Sequence, residues 1–415
     1  MTEFLRPEGR TDQSAGILGE ARGLLPEVLD CMHCGLCLEQ CATYRESGAE
    51  DRSPRGRLFV MRAVDEGRLN AQDAAPSLSS CLQCRACEPV CPSKVNYHGI
   101  LEQYFAKLPP QHAPKTSPVV WWLRTPTRVH QLGRLGRWAR QSGLAKFLGA
   151  FPARPMQQGL AALPRNAQAS RWSSQSHVPA MGRERARVSL MLGCLEREWF
   201  GPVLDNLVDV LKWQGVTVRM PKQPACCGAF SGHAGDAMAG RQQAQDMLQA
   251  LQQDDDLDAI LVSSAGCHAW LHEFDPAARV MEPMAFLATL GLQGELQAVA
   301  QTAALQEACH QRNVGDGFDA TRELLQAIPE LTLVADPEAE LCCGAGGATF
   351  LREPEQAQAL GQRKLQALGQ DKPDVLLSSN PGCRMQLQAS QGAAAKPLPI
   401  LHPIQMLWRA AKPRQ

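Results

Sequence analysis

Aromatic residues are scarce in this chain: Phe, Tyr and Trp together supply 5% of it. Any core must therefore rest on Leu, Val, Ile, Ala and Met. Long apolar runs are missing as well. No stretch approaches the ~18 residues a membrane-crossing helix needs. The opening residues, MTEFLRPEGR, lack a basic segment followed by an apolar run, so the expectation is a cytoplasmic chain without a secretory signal. Also lacking are a dinucleotide-binding fingerprint, a Ser-His-Asp arrangement and an evident acid/base pair. The glycines of CCGAGGATF follow cysteines and do not open a Rossmann unit. Nothing in the chain thus reads as a substrate-oxidising site, and no catalytic residue is assigned.

Net charge is absent too, with 42 basic residues against 42 acidic. The balance hides an asymmetry. From Lys107 to Arg185 there are 13 Lys/Arg and one acid, Glu184, so this segment carries +12 and the remainder −12. Trp121, Trp122 and Trp138 lie among Arg124, Arg128, Arg134, Arg137 and Arg140. Such a segment could lie on anionic lipid, dock a partner subunit, or pack as a helical linker. Nucleic acid is disfavoured because no binding fold accompanies the charge.

What is abundant is cysteine, 16 in all. In a reducing compartment, clustered cysteines hold metal or do redox chemistry. With 415 residues, the chain has room for roughly two to four domains of ~100–200 residues. The divisions expected are a lead at 1–21, a cysteine-bearing helical region at 22–108, a basic linker at 109–185, and two copies of one unit at 186–295 and 296–415. ARGLLPEVLD, GRLFVMRAVDEG and YHGILEQYFAKL have helical spacing, and 22–108 shows no clear strand.

Eight cysteines in 22–108 form two motifs. Cys31, Cys34, Cys37 and Cys41 make the first, and Cys81, Cys84, Cys87 and Cys91, followed by Pro92, make the second. Both have the C-x2-C-x2-C-x3-C spacing of bacterial ferredoxins. Three cysteines in a tight turn surround one cubane, and the fourth points away to the neighbouring one. The spacing therefore assigns Cys31, Cys34, Cys37 and Cys91 to one 4Fe-4S cluster, and Cys81, Cys84, Cys87 and Cys41 to the other. Structural zinc fits poorly, since it takes its ligands as two pairs across a loop. Ala42 stands where the first motif would carry its proline. Gly35 lets backbone approach the cluster. His33 is expected to face solvent or pack rather than ligate.

The other eight cysteines expose a duplication. Cys194, Cys226-Cys227 and Cys267 recur as Cys309, Cys342-Cys343 and Cys383, at offsets of 115, 116, 116 and 116 residues. DAILVSSAGC echoes DVLLSSNPGC, and MEPMAFL echoes LHPIQML. Apolar runs alternate with helical periods such as PVLDNLVDVLKWQG, which predicts α/β units with largely parallel sheets. Adjacent cysteines need a kinked turn, and Gly228 and Gly344 tolerate the positive φ it requires. Strand ends converge in one crevice, so the four cysteines of a copy could meet there. Each set could hold a further iron–sulfur cluster, zinc, or no stable metal. His233 and His310 are expected to pack or hydrogen-bond rather than ligate.

The C…CCG…GC pattern resembles the cysteine-rich (CCG) domain associated with heterodisulfide reductase. The whole order, with CMHCGLCLEQC, SPRGR, CLQCRACEPVCPSKVNYHGILE, LMLGCLEREWF, ACCGAFSGHAGD, EACH, LCCGAGGATF and NPGCRMQL, resembles the iron–sulfur subunits of glycolate oxidase (glycolate dehydrogenase). Iron–sulfur subunits of D-lactate and glycerol-3-phosphate dehydrogenases share the plan. The resemblance implies an α+β multidomain fold: an α-helical ferredoxin domain with two 4Fe-4S clusters, then two α/β CCG domains. It implies electron relay from FAD-containing partner subunits, which oxidise glycolate to glyoxylate, towards a quinone acceptor at the cytoplasmic face of the inner membrane. One departure is plain. Where heterodisulfide reductase ends its motif in CxxC, single cysteines stand here, with His268 after Cys267 and Arg384 after Cys383. A disulfide-reducing enzyme is the competing reading, and the missing CxxC weighs against it.

Overall fold

A computed structural model describes residues 26–108 and 167–412, except positions 173, 225, 255, 316, 348 and 393–396, together with the isolated positions 131 and 138. The N-terminal lead and nearly all of the basic segment lie outside the described residues.

Residues 26–108 are helical, with no strand among them. Of ARGLLPEVLD, only Pro26–Asp30 is described as regular structure, a single 3-10 turn running straight into Cys31. The helix Pro54–Asp65 starts with Pro at its first turn and Ser53 as its cap, accepting from the Gly56 N–H at 3.0 Å. Tyr97–Lys107 is capped in the same way by Asn96. Leu58, Met61, Ile100, Leu101 and Tyr104 bury the shared face of these helices, joined by Leu78 of the helix Ala71–Ser79.

The cysteine-rich half consists of two sheets. Strands β1 (Ser176–Val178), β2 (Ala186–Leu190), β3 (Val216–Met220), β4 (Ala259–Leu261) and β5 (Val280–Met281) form the order β1-β3-β2-β4-β5. Strands β6 (Gln301–Gln306), β7 (Leu331–Val334), β8 (Val375–Ser378) and β9 (Ile400–Leu401) form β7-β6-β8-β9. Except for β1, which runs antiparallel to β3, all pairings are parallel. The registers repeat as well. Val188 of β2 pairs with Val218 and Ala259, and its counterpart Ala303 of β6 pairs with Leu333 and Val375. The duplication read from cysteine offsets is therefore a duplication of fold.

The two copies pack about a pseudo-two-fold axis. Gly201–Trp213 of the first lies on Pro403–Ala411 of the second, and Pro283–Leu290 of the first on Gly317–Gln326 of the second. One continuous core results, holding Val188, Leu204, Leu207, Leu287, Leu325, Leu377, Ile404 and Leu407. Trp213 stacks on Trp408 with centroids 6.2 Å apart. The equivalent residues Ser264 and Asn380 meet at the axis, Oγ to Oδ1, at 3.3 Å.

A buried histidine ties the copies together. His402 caps Pro403–Ala411, its Nδ1 accepting from the Ile404 N–H at 3.1 Å. Its Nε2 therefore carries the proton and donates to the Ser263 carbonyl of the first copy at 3.0 Å. Protonating Nδ1 would break the cap. Burial, helped by the Arg384 charge, pushes the ring down to about 3. Below the ordinary histidine range the unfolded chain takes up a proton that the folded chain refuses, so stability falls as pH drops. The expected loss is about 1.4 kcal/mol per pH unit between roughly pH 6 and pH 4. Anaerobic urea melts across that range should show a shallower slope for His402→Gln than for the unaltered protein, whatever its absolute stability.

Candidate functional site

Each copy gathers its cysteines at the carboxyl ends of its strands. Cys194 begins the helix that follows β2, and Cys309 the one that follows β6. The pairs Cys226-Cys227 and Cys342-Cys343 lie in the loops beyond β3 and β7. Cys267 and Cys383 lie in the first turn of Ala265–Phe274 and Pro381–Ser390. Gly228 has φ +94° and Gly344 φ +89°, and a Cβ on Gly228 would stand 2.1 Å from the Gly240 carbonyl oxygen. Only glycine permits that turn.

The thiols contact one another in the same order in both copies. Cys194 meets Cys226, Cys226 meets Cys227, and Cys227 meets Cys267. Cys309 meets Cys342, Cys342 meets Cys343, and Cys343 meets Cys383. In the first copy, hydrogen bonds from Cys194 and Cys227 hold the Cys226 thiol well below its ordinary range, while the same contacts and burial push both donors up. In the second copy Cys309 is pushed up by its contact with Cys342 and by burial. Among the described residues, no three His, Cys, Asp or Glu side chains close on one point as a lone metal ion requires.

In the helical unit, the second motif lines a cavity. Cys81, Cys84 and Cys87 of that motif and Cys41 of the first line it together, with Arg57, Gln83, Tyr97 and His98. Its water-accessible volume is about 30 Å³, and it opens to solvent. Burial, then the neighbouring Cys84, Cys81 and Cys41, push the Cys87 thiol well up. The Tyr97 hydroxyl lies 3.7 Å from the Cys81 sulfur, and the Gln83 N–H donates to that sulfur at 3.4 Å. An all-thiol donor set, every cysteine free, ringed by N–H and O–H donors, is the chemistry that iron–sulfur ligation uses.

The first motif is more open. Cys34 is exposed, Cys31 and Cys37 are half-buried, and Met32 and Leu36 expose 66% and 57% of their surface. Cys37 has Cys31 and Cys41 as charged neighbours, and burial lifts it to about 11. Cys91 is half-buried and accepts from the Val95 N–H at 3.5 Å. His33 is exposed with φ +55°. Ala42, in place of a proline, is buried at the start of Ala42–Ser47.

The helical unit sits astride both copies, but Cys84 faces the thiols of the second. Cys84 lies close enough to Cys309 and Cys342 for their charges to act on one another. Asn313 Nδ2 donates to the Cys84 carbonyl at 2.8 Å, and Thr349 Oγ1 to that of Cys81 at 3.2 Å. Leu82 packs among Leu341, Cys342, Cys343 and Ala345. Towards the first copy, Gln83 holds His233 at both ends: its Nε2 donates to the His233 carbonyl at 2.8 Å, and its Oε1 lies 2.8 Å from Nδ1. The His233 ring lies 5.8 Å from that of His98 and 5.5 Å from that of His310. His233 and His310 thus pack where the three units meet. The motif spacing fixed which cysteines share a turn, but carried no signal for Asn313, Thr349 or Gln83. Arg57 was visible only as part of SPRGR, without a role.

Comparison with known proteins agrees with this architecture. A model of a 4Fe-4S dicluster domain matches residues 27–95, and a model of a cysteine-rich domain matches 188–272 and 303–388. The chain is 29% identical over 400 residues to a probable glycolate oxidase iron-sulfur subunit of Bacillus subtilis, covering 87% of this chain and 88% of that one. It is 27% identical over 412 residues to the glycolate oxidase iron-sulfur subunit of Escherichia coli, covering 94% of each. Lactate utilization protein A of Geobacillus thermodenitrificans is 24% identical, with 53% of this chain matching 98% of that one. The chain thus carries a 4Fe-4S dicluster domain followed by two copies of a cysteine-rich domain, and along most of its length it is similar to the iron–sulfur subunits of glycolate oxidase.

Proposed function

We propose that this chain is the electron-relay subunit of a flavin-dependent glycolate dehydrogenase that oxidises glycolate to glyoxylate, its substrate pocket lying on FAD-containing partner subunits. In this reading Cys31, Cys34, Cys37 and Cys91 hold one 4Fe-4S cluster, and Cys81, Cys84, Cys87 and Cys41 hold a second. Such clusters, when bound, supply the uptake and release of single electrons. The observation that carries the reading is the cavity at the second motif. Four thiols drawn from both motifs line it, and one of them, Cys84, abuts Cys309 and Cys342.

The chain's own residues define a path. The exposed first motif, with Cys34, Met32 and Leu36 at the surface, offers the outer terminus. The second motif lies inward, where Asn313 and Thr349 hold its backbone against the second cysteine-rich unit. The thiols of that unit offer the next stop, with iron–sulfur, zinc or no metal there to be separated by elemental analysis. The lactate utilization relatives favour a second reading, in which the partner subunits oxidise lactate. Delivery to a quinone would call for contact with the inner membrane, and no described helix is long and apolar enough to cross one.

Anaerobically purified protein should contain at least about 8 iron atoms, with matching acid-labile sulfide. Although Cys41 belongs to the first motif, Cys41→Ala should erase the same EPR signal as Cys84→Ala, while Cys34→Ala erases the other. Should Cys41→Ala and Cys34→Ala lose the same signal, the crossed assignment fails. In the assembled complex, Cys84→Ser should reduce dye-linked turnover to background while substrate still bleaches the flavin in a single turnover. Undiminished turnover would rule out the relay.

A further inference from the structure

The helix Pro54–Asp65 sends one arginine to each cysteine motif, and the two are treated differently. Arg55 serves the first motif. Its backbone N–H donates to Cys37, and its Nη1 donates to the His33 carbonyl at 3.1 Å. That guanidinium is neutralised locally, because its Nε lies 2.6 Å from Glu50 Oε1, near the surface.

Arg57, two residues on, turns inward to the second motif. It is 1% exposed and lines the same cavity as Cys41, Cys81, Cys84 and Cys87. Its Nε donates to the Ser77 carbonyl at 2.9 Å, and its Nη2 to Thr43 Oγ1 at 3.1 Å and Ser80 Oγ at 2.9 Å. Thr43 Oγ1 in turn lies 3.2 Å from the Cys41 sulfur. Among the described residues no carboxylate forms an ion pair with it. A guanidinium does not lose its proton in a protein. A buried cation without an anion is strongly destabilising, and three neutral acceptors satisfy its N–H groups without balancing its charge. Desolvation works against the charge, and the neighbouring Cys81, Tyr97 and Cys41 more than offset it. The groups that face it across the cavity are thiols and one phenol.

We propose that Arg57 is the buried counter-ion of the Cys41, Cys81, Cys84 and Cys87 thiolates, and that it makes the second motif the stronger electron acceptor of the two. The inference rests on the two-cluster reading above. Each electron arriving at the second motif adds one negative charge beside a fixed positive one, in a site shielded from water, where Coulomb attraction is strongest. At the first motif Glu50 cancels the matching cation, and solvent screens what remains. Electrons entering at the exposed first motif would then run downhill towards Cys84 and the second cysteine-rich unit.

The test is an EPR-monitored redox titration of the anaerobic full-length protein, with dithionite as reductant and iron counted in every sample. Two midpoint potentials are expected, the higher one vanishing in Cys84→Ser. In Arg57→Gln that midpoint should fall by at least about ten-fold in its reduction equilibrium constant, about 59 mV for one electron, while the other stays put. Arg57→Lys keeps the charge but cannot reach all three acceptors, so it should give a smaller fall in the same midpoint. Should Arg57→Gln lose the second cluster altogether, the order of the two midpoints in the unaltered protein decides, and loss of the lower one in Cys84→Ser overturns the proposal. It is equally overturned if both variants keep full iron and unshifted midpoints, or if the higher midpoint vanishes in Cys34→Ser instead. Fewer than two clusters in the unaltered protein would sink the two-cluster reading and this inference with it. Two clusters with unmoved midpoints sink the inference alone.

Discussion

A thiol taken out of water stays protonated unless positive charge meets it, and the molecule is organised around that constraint. Burial drives Cys84 and Cys87 away from the thiolate form, and contacts with neighbouring thiols, then burial, do the same to Cys194, Cys309 and Cys343. A chain that buries so many cysteines needs metal, guanidinium, or N–H and O–H donors in compensation. The helical unit supplies Arg57, Tyr97 and the Gln83 N–H around one set. The cysteine-rich units supply the first turns of helices and the glycine-following pairs. Their doubly wound sheets bring β2, β3 and β4, or β6, β7 and β8, to a common carboxyl edge, where such groups can converge.

The second constraint is geometric. Thiols that exchange electrons must be near one another, so the interface between units matters as much as either unit. Here the interface is polar and specific. Asn313, Thr349 and Gln356 donate to the carbonyls of Cys84, Cys81 and Ser80. Arg85 bridges Glu88 and Glu273. Carbonyl contacts of this kind fix backbone position without depending on side-chain rotamers, which suits a junction where a small displacement would lengthen the gap between thiols.

Much of this was legible in the sequence, for identifiable reasons. Ligand spacing within a turn is local, so the two N-terminal motifs declared themselves. The duplication was legible because copies of one fold keep their strand-end cysteines in phase, as Val188 and Ala303 show by their matching registers. The positive φ of Gly228 and Gly344 followed from the doublets before them. Long-range choices were not legible. Nothing near Cys84 says that Cys309, rather than Cys194, will be its neighbour, because that depends on how two already folded surfaces meet. Arg57 was opaque for a related reason: one residue separates it from Arg55, yet helix periodicity turns the pair to opposite environments. ARGLLPEVLD has helical spacing, and its described part, Pro26–Asp30, is a 3-10 helix that ends where the first motif begins.

The helical unit lies across both copies, its Ala42–Ser47 against Pro354–Leu368 and its Tyr97–Lys107 against the equivalent Ala237–Leu251. A rotation axis has only two ends, and a lid resting on one of them occupies a place that occurs once. The halves beneath are near-twins, yet the lid cannot be the same to both, so its presence alone makes one twin the recipient and the other the buttress. Fusing the twins into one polypeptide lets that inequality be written into the sequence permanently, which an assembly of identical separate chains could not do.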